Sequence, residues 1–140
     1  RDAMRAVDFD AVLAFAEAAQ AGGAQHFVLV TSVGADASAR VHYARMKGQV
    51  ERAVERIGYD GLDILQPGLL LGARDEMRPV EGMLQFMSPF VSPLLMGGLE
   101  RYGAIPATTV AWAIVEAVER GPAGVHRHEN RSIRLLAGRD

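Results

Sequence analysis

Apolar and polar positions along the chain alternate between two rhythms. Phe9, Val12, Leu13 and Ala16 recur at helical spacing, with Asp8 and Asp10 near the start and Gly22-Gly23 as the stop, which predicts a helix of about three turns or more. His26 to Thr31 (HFVLVT) follows as a short β-rich apolar run, the profile of a strand covered on both faces in a parallel sheet. Ser32 to Arg40 is a loop of small residues. Tyr43, Met46, Val50, Val54 and Ile57 mark a second helical stripe ended by Gly58, and Leu62 to Gln66 (LDILQ) is a second buried strand closed by Pro67-Gly68.

Helix, strand, helix and strand joined by short connections define an α/β, Rossmann-like domain with a parallel sheet and flanking helices. In such open sheets the ligand crevice lies beyond the carboxyl ends of the strands, here the loops that begin at Thr31-Ser32 and at Pro67-Gly68. The remainder is less regular. Met83 to Met96 (MLQFMSPFVSPLLM) is apolar but interrupted by Pro89 and Pro93, so it is not one straight helix; it suits a substrate lid, an oligomer contact or plain core packing. Val110, Ile114 and Val118 form a last helical stripe after Thr108-Thr109, with Trp112 expected in the core, and Ser132 to Leu136 (SIRLL) reads as a final strand. With no internal repeat or linker, residues 1–140 read as a single domain.

Composition narrows the functional classes. A chain that is 49% hydrophobic and 23% charged has an ordinary globular balance, and a net charge of −2 gives no footprint for nucleic acid or an anionic membrane. There is no run of about 18 apolar residues to span a bilayer, so the expected partner is a small-molecule substrate. The absence of cysteine removes thiolate metal sites and thiol nucleophiles and fits a cytoplasmic setting.

One compositional oddity points to chemistry. The chain has fourteen arginines and a single lysine, Lys47, four residues after Tyr43. Four residues is one helical turn, so both side chains share a face. A free phenol ionises near pH 10 or so, and an adjacent ammonium, a compact point charge, favours the phenolate. A phenol tuned in this way gives a proton to a carbonyl oxygen that receives hydride, or takes one from an alcohol that loses it. Ser32, at the mouth of the preceding strand, could hold the same oxygen. Taken alone, the pair is equally consistent with an amphipathic helix bearing a half-buried tyrosine and a solvated lysine.

Ser32, then Tyr43 eleven residues on, then Lys47, resembles in order and spacing the Ser, Tyr-x-x-x-Lys site of the short-chain dehydrogenase/reductase superfamily. The segments His26 to Asp36 (HFVLVTSVGAD), Lys47 to Glu51 (KGQVE), Gln66 to Gly72 (QPGLLLG) and Arg74 to Pro79 (RDEMRP) look like its atypical NAD(P)H-binding members related to the Tat-interacting oxidoreductase-like proteins, with coverage from about Val7 to Val118. The resemblance implies Ser32, Tyr43 and Lys47 as catalytic residues, and Thr31, Tyr43, Lys47, Pro67 and Gly68 as contacts of an NADP or NAD cofactor. It implies hydride transfer to or from a carbonyl or alcohol. Its alternatives are a non-catalytic NAD(P)H-binding regulatory or interaction protein, or a sugar-nucleotide epimerase-like protein.

The departures from that pattern are specific. The family opens with a strand, a Gly-x-x-Gly-x-x-Gly turn and a helix that receive the pyrophosphate; this sequence has no such motif, and Gly22-Gly23 follows a helix instead of a strand. The chain thus resembles a carboxyl-terminal half, and the expectation is that its sheet is completed by an N-terminal half or by self-association. Gln66 stands where many relatives carry arginine. Two weaker signals remain. His126-Arg127-His128 lies in a Gly-Pro-Ala-Gly loop setting and reads as solvent-facing, with no metal site expected. Arg74 and Arg78 read as surface ion-pairing groups, with a cofactor phosphate or acidic substrate as the other option.

Overall fold

A computed structural model describes residues 2–72 and 100–138. Met83–Met96, Arg74 and Arg78 lie outside the described residues. The N-terminal helix runs as α1 (Asp2–Arg5), a π-helical stretch Ala6–Ala11, and α2 (Val12–Ala21). There follow β1 (His26–Val30), α3 (His42–Ile57), β2 (Gly61–Gln66) and β3 (Leu69–Leu71). After a short 3-10 turn at Glu100–Tyr102 come β4 (Ala104–Pro106), α4 (Ala107–Arg120), β5 (Gly124–Glu129) and α5 (Asn130–Ala137).

The main sheet is parallel, in the order β1-β2-β5. Its register sets His26 opposite Gly61 and Val30 opposite Leu65, then Gly61 opposite Gly124 and Gln66 opposite Glu129. β3 and β4 form a separate parallel pair. Because successive side chains on a strand point to opposite faces, each strand feeds two cores. On one face Leu29, Leu62 and Ile64 pack with Ala16 of α2, Val50 and Val54 of α3, and Tyr59. On the other, Leu65 and Val28 pack with Val110 and Ala113 of α4 and Ile133 and Ala137 of α5. Helices on both faces of a parallel sheet make this an α/β, Rossmann-like arrangement, as its sequence pattern predicts. All six residues of the central strand β2 are buried. Among the described residues, β1 pairs only with β2, and no helix is long and apolar enough to cross a membrane.

One expected element is corrected. Ser132–Leu136 is not a strand: it lies inside α5, and the strand at that end of the chain is Gly124–Glu129. Ile133, Leu136 and Ala137 are spaced i, i+3 and i+4 and turn inward onto the α4 core, while Leu135 stays exposed. Gly138, at φ 63°, ends the helix in the left-handed conformation that glycine adopts without cost. The true strand was hidden by its polarity. Among the described residues β5 sits at the sheet edge, and it carries His126, Arg127, His128 and Glu129 in place of an apolar run.

Candidate functional site

α3 owes its form to amphipathicity. Met46, Val50 and Val54 are buried at helical spacing, and Gly58 terminates the helix at φ 80°. Tyr43 lies in its first turn, Lys47 one turn later and Glu51 one turn after that, so all three share a face. The Tyr43 side chain is 47% exposed, and its hydroxyl makes no hydrogen bond among the described residues. The Lys47 ammonium stands 5.4 Å from the centre of the Tyr43 ring, close enough for its charge to act on the phenol. It also donates to Asp8 Oδ1 at 3.2 Å, and its side chain is only 14% exposed. Asp8 belongs to the π-helical stretch, a widening of the helix often found at functional sites.

Glu51 anchors this helix face. It is 4% exposed and accepts hydrogen bonds from Thr31 Oγ1 at the end of β1 and from Gln66 Nε2 at the end of β2, at 2.9 and 3.1 Å to its two oxygens. Arg127 Nε of β5 lies 3.7 Å from it, and Arg127 also pairs with Glu55 at 2.8 Å. One carboxylate therefore ties α3 to all three strands of the main sheet. This arrangement directs the Thr31 hydroxyl inward, toward Glu51 and away from the crevice. Gln66 donates to Glu51 from the end of β2, and the guanidinium beside Glu51 comes from Arg127 of β5.

Ser32 follows β1 at its carboxyl end. The loop after it is stitched to both neighbours: Val33 N donates to Pro67 O at 3.0 Å, and Asp36 N donates to Ala44 O at 3.0 Å. The second bond folds the loop onto the first turns of α3, which brings the Ser32 loop and the Tyr43 helix together. No hydrogen bond joins Ser32 to Tyr43 among the described residues. The close approach depends on Gly48, since a Cβ there would stand 2.1 Å from Ala37 N and 2.3 Å from the Asp36 carbonyl carbon. The Pro67-Gly68 turn is satisfied internally. Gly68 N donates to Asn130 Oδ1 at 2.8 Å, and a Cβ on Gly68 would come within 2.3 Å of Gly103 O. Pro67 itself is fully buried, so the turn shapes the strand end from within and presents no side-chain surface there.

The same loop has a built-in acid sensitivity. Ser38 Oγ and Ser38 N both donate to Asp36 Oδ1, at 2.7 and 2.8 Å, and these bonds, helped by the Arg52 charge, hold the Asp36 carboxyl below its ordinary range. A depressed carboxylate contributes stability above its unfolded-state value and loses it as pH falls through the folded one. In Ser38→Ala the Asp36 carboxyl should therefore titrate at higher pH, seen by carbon NMR of the side-chain carboxyl, and the loop should loosen earlier on acidification. An unchanged titration would show that the serine hydroxyl contributes nothing.

A second polar cluster lies across the sheet. Asp63, 1% exposed, meets His26 Nε2 through Oδ2 and His128 Nε2 through Oδ1, each at 2.7 Å. The sequence reading missed it because the three residues are far apart in the chain and a charge in LDILQ carries no periodic signal. It also corrects the loop reading of His126-Arg127-His128: all three are on β5, and His128 is partly buried against Asp63 while His126 is exposed.

Fold and site together define a Rossmann-like α/β chain with a Tyr-x-x-x-Lys helix packed beside a strand-end serine loop. No family model matches the chain. Over nearly its whole length it is similar to "Protein FMP52, mitochondrial" of Coccidioides immitis, 34% identical over 138 residues, which cover 99% of this chain and 56% of that protein. It is likewise similar to "Protein HTATIP2" of Rattus norvegicus, 39% identical over 135 residues, covering 96% of this chain and 54% of the relative. The chain spans about half the length of these curated relatives. The similarity agrees with the Tat-interacting subgroup resemblance read from the sequence. The cytoplasmic expectation, by contrast, is overturned: fungal relatives, including that of Aspergillus niger at 34% identity over 125 residues, are named mitochondrial, which points away from the cytoplasm. Absence of cysteine could not separate these compartments.

Proposed function

We propose that the chain carries the catalytic side of an NAD(P)-dependent oxidoreductase that interconverts a carbonyl and an alcohol. The observation that carries this reading is the Tyr43-Lys47 pair, with the ammonium 5.4 Å from the phenol ring and held partly buried on a helix stitched to the Ser32 loop. Tyr43 exchanges a proton with the substrate oxygen, the Lys47 ammonium stands beside the phenol ring, and Ser32 donates a hydrogen bond to the same oxygen. The bound nicotinamide supplies or accepts the hydride.

The residues present fit the nicotinamide end of such a cofactor. Tyr43 and Lys47 offer polar atoms for the ribose, and the Pro67-Gly68 turn, with its proline buried and its glycine closely packed, shapes the end of β2 beside them. Thr31 contributes through its backbone at most, since its hydroxyl is engaged by Glu51. No Gly-x-x-Gly-x-x-Gly turn is present for the pyrophosphate, so tight binding requires an N-terminal half or a second copy. The unpaired outer edge of β1, seen among the described residues, supports such completion.

A second reading, a nicotinamide-binding regulatory protein without turnover, is favoured by one observation. Asp8 already neutralises part of the Lys47 charge. The two readings separate in an NADPH-oxidation assay over a panel of aldehydes and ketones, run beside equilibrium binding of NADPH. Carbonyl-dependent oxidation supports the enzyme. Binding without oxidation supports the regulatory reading, and neither binding nor oxidation once an N-terminal half or a second copy completes the sheet removes both.

A further inference from the structure

The cluster around Asp63 extends beyond the two histidines. Ser132, in the first turn of α5, has its Oγ 2.8 Å from His128 Nδ1, and His128 Nε2 is 2.7 Å from Asp63 Oδ1. In the tautomer in which His128 donates from Nε2 to the Asp63 carboxylate, the lone pair on its Nδ1 receives the Ser132 O–H. His26 occupies the other Asp63 oxygen at 2.7 Å and fixes the carboxylate's orientation. These side chains form a hydrogen-bonded relay from Ser132 through His128 to Asp63.

A hydroxyl, a base that takes its proton and a buried carboxylate that orients the base are the parts of nucleophilic acyl transfer, recognised by geometry and role whatever the chain order. Here the ring nitrogens exchange their usual partners, with Nδ1 facing the hydroxyl. Two further features complete the arrangement. Ser132 lines a surface cavity of about 490 Å³ together with Gln66, Arg127, Glu129, Arg131 and Leu135. α5 also begins without a side-chain hydrogen bond from its N-cap residue, and uncapped first-turn amides are of the kind that serve an oxyanion.

We propose that Ser132 is a nucleophile activated by His128 and Asp63, acting on a small activated ester. The Ser132 oxygen attacks the ester carbonyl carbon as its proton passes to His128 Nδ1. The tetrahedral oxyanion is held by the first-turn amides. It collapses with cleavage of the bond to the leaving alcohol, which takes the proton from His128. Water, deprotonated by the same nitrogen, then attacks the acyl-serine, releasing the acid and restoring the hydroxyl. This chemistry is independent of the oxidoreductase reading and requires no nicotinamide.

The test is covalent labelling of the whole chain with a fluorophosphonate probe, mapped by peptide mass spectrometry, beside hydrolysis of p-nitrophenyl acetate. The expected result is one label per chain on Ser132, absent in Ser132→Ala and slowed about 10²–10⁴-fold in His128→Gln. If His128→Gln does not fold, the comparison of wild type with Ser132→Ala decides. Labelling of Ser132 no faster than that of the exposed Ser38, or ester hydrolysis unchanged in Ser132→Ala, overturns the proposal.

Discussion

Tyr43→Phe is expected to lower kcat for carbonyl reduction by about 10²–10⁴-fold, the usual contribution of a positioned general acid or base, with NADPH affinity lowered only by the loss of one ribose contact. The structure makes this substitution informative. The Tyr43 hydroxyl has no hydrogen-bond partner among the described residues and its side chain is half exposed, so its removal orphans no buried group there. Stability should stay within about 0.5 kcal/mol of wild type, as for surface changes in general. A loss of turnover then reports chemistry and not unfolding. Lys47→Met should also lower kcat while freeing Asp8 from its only ion pair among the described residues. Equal turnover in Tyr43→Phe and wild type would sink the acid/base assignment.

How far the sequence revealed this site depended on the kind of signal each residue carried. Strands β1 and β2 and helix α3 were legible because buried parallel strands are apolar throughout and α3 presents a clean helical stripe. The Tyr43-Lys47 spacing was legible for the same reason, since both partners lie on one element. β5 was not, because an edge strand can be polar on both faces and its histidines read as loop. α5 was mistaken for a strand because three apolar residues in SIRLL satisfy either period, and only the α4 core beyond it selects the helix. Glu51, Asp63 and Asp8 were invisible as site residues. A carboxylate in a sequence signals solvent by default, and these three meet partners far away in the chain. The π-helical stretch that presents Asp8 has no sequence period by which to be recognised.

Glu51 is where stability and function meet most directly, and Glu51→Ala should cost about 3–5 kcal/mol in chemical denaturation. The carboxylate is buried and accepts from Thr31 and twice from Gln66, both of them buried themselves. Truncation leaves those two donors without an acceptor, at about 1–3 kcal/mol each, and removes the packing of the side-chain stem. Arg127 is spared the full penalty because it retains Glu55 at 2.8 Å. Against a typical domain stability of about 5–15 kcal/mol this is a large fraction. The functional effect follows from position: Lys47 and Tyr43 stand one and two turns toward the N-terminus on the face that Glu51 pins to the strand ends. A misplacement of about 1 Å there is enough for a rate loss of about 10²-fold. Glu51→Gln distinguishes anchoring from charge. Its amide oxygen still accepts one hydrogen bond, so most of the stability should return, and kcat with it. If Glu51→Ala loses less than about 1 kcal/mol, the buried carboxylate is not the anchor; if it loses stability but keeps full kcat, α3 is held in register by the Val50 and Val54 packing alone.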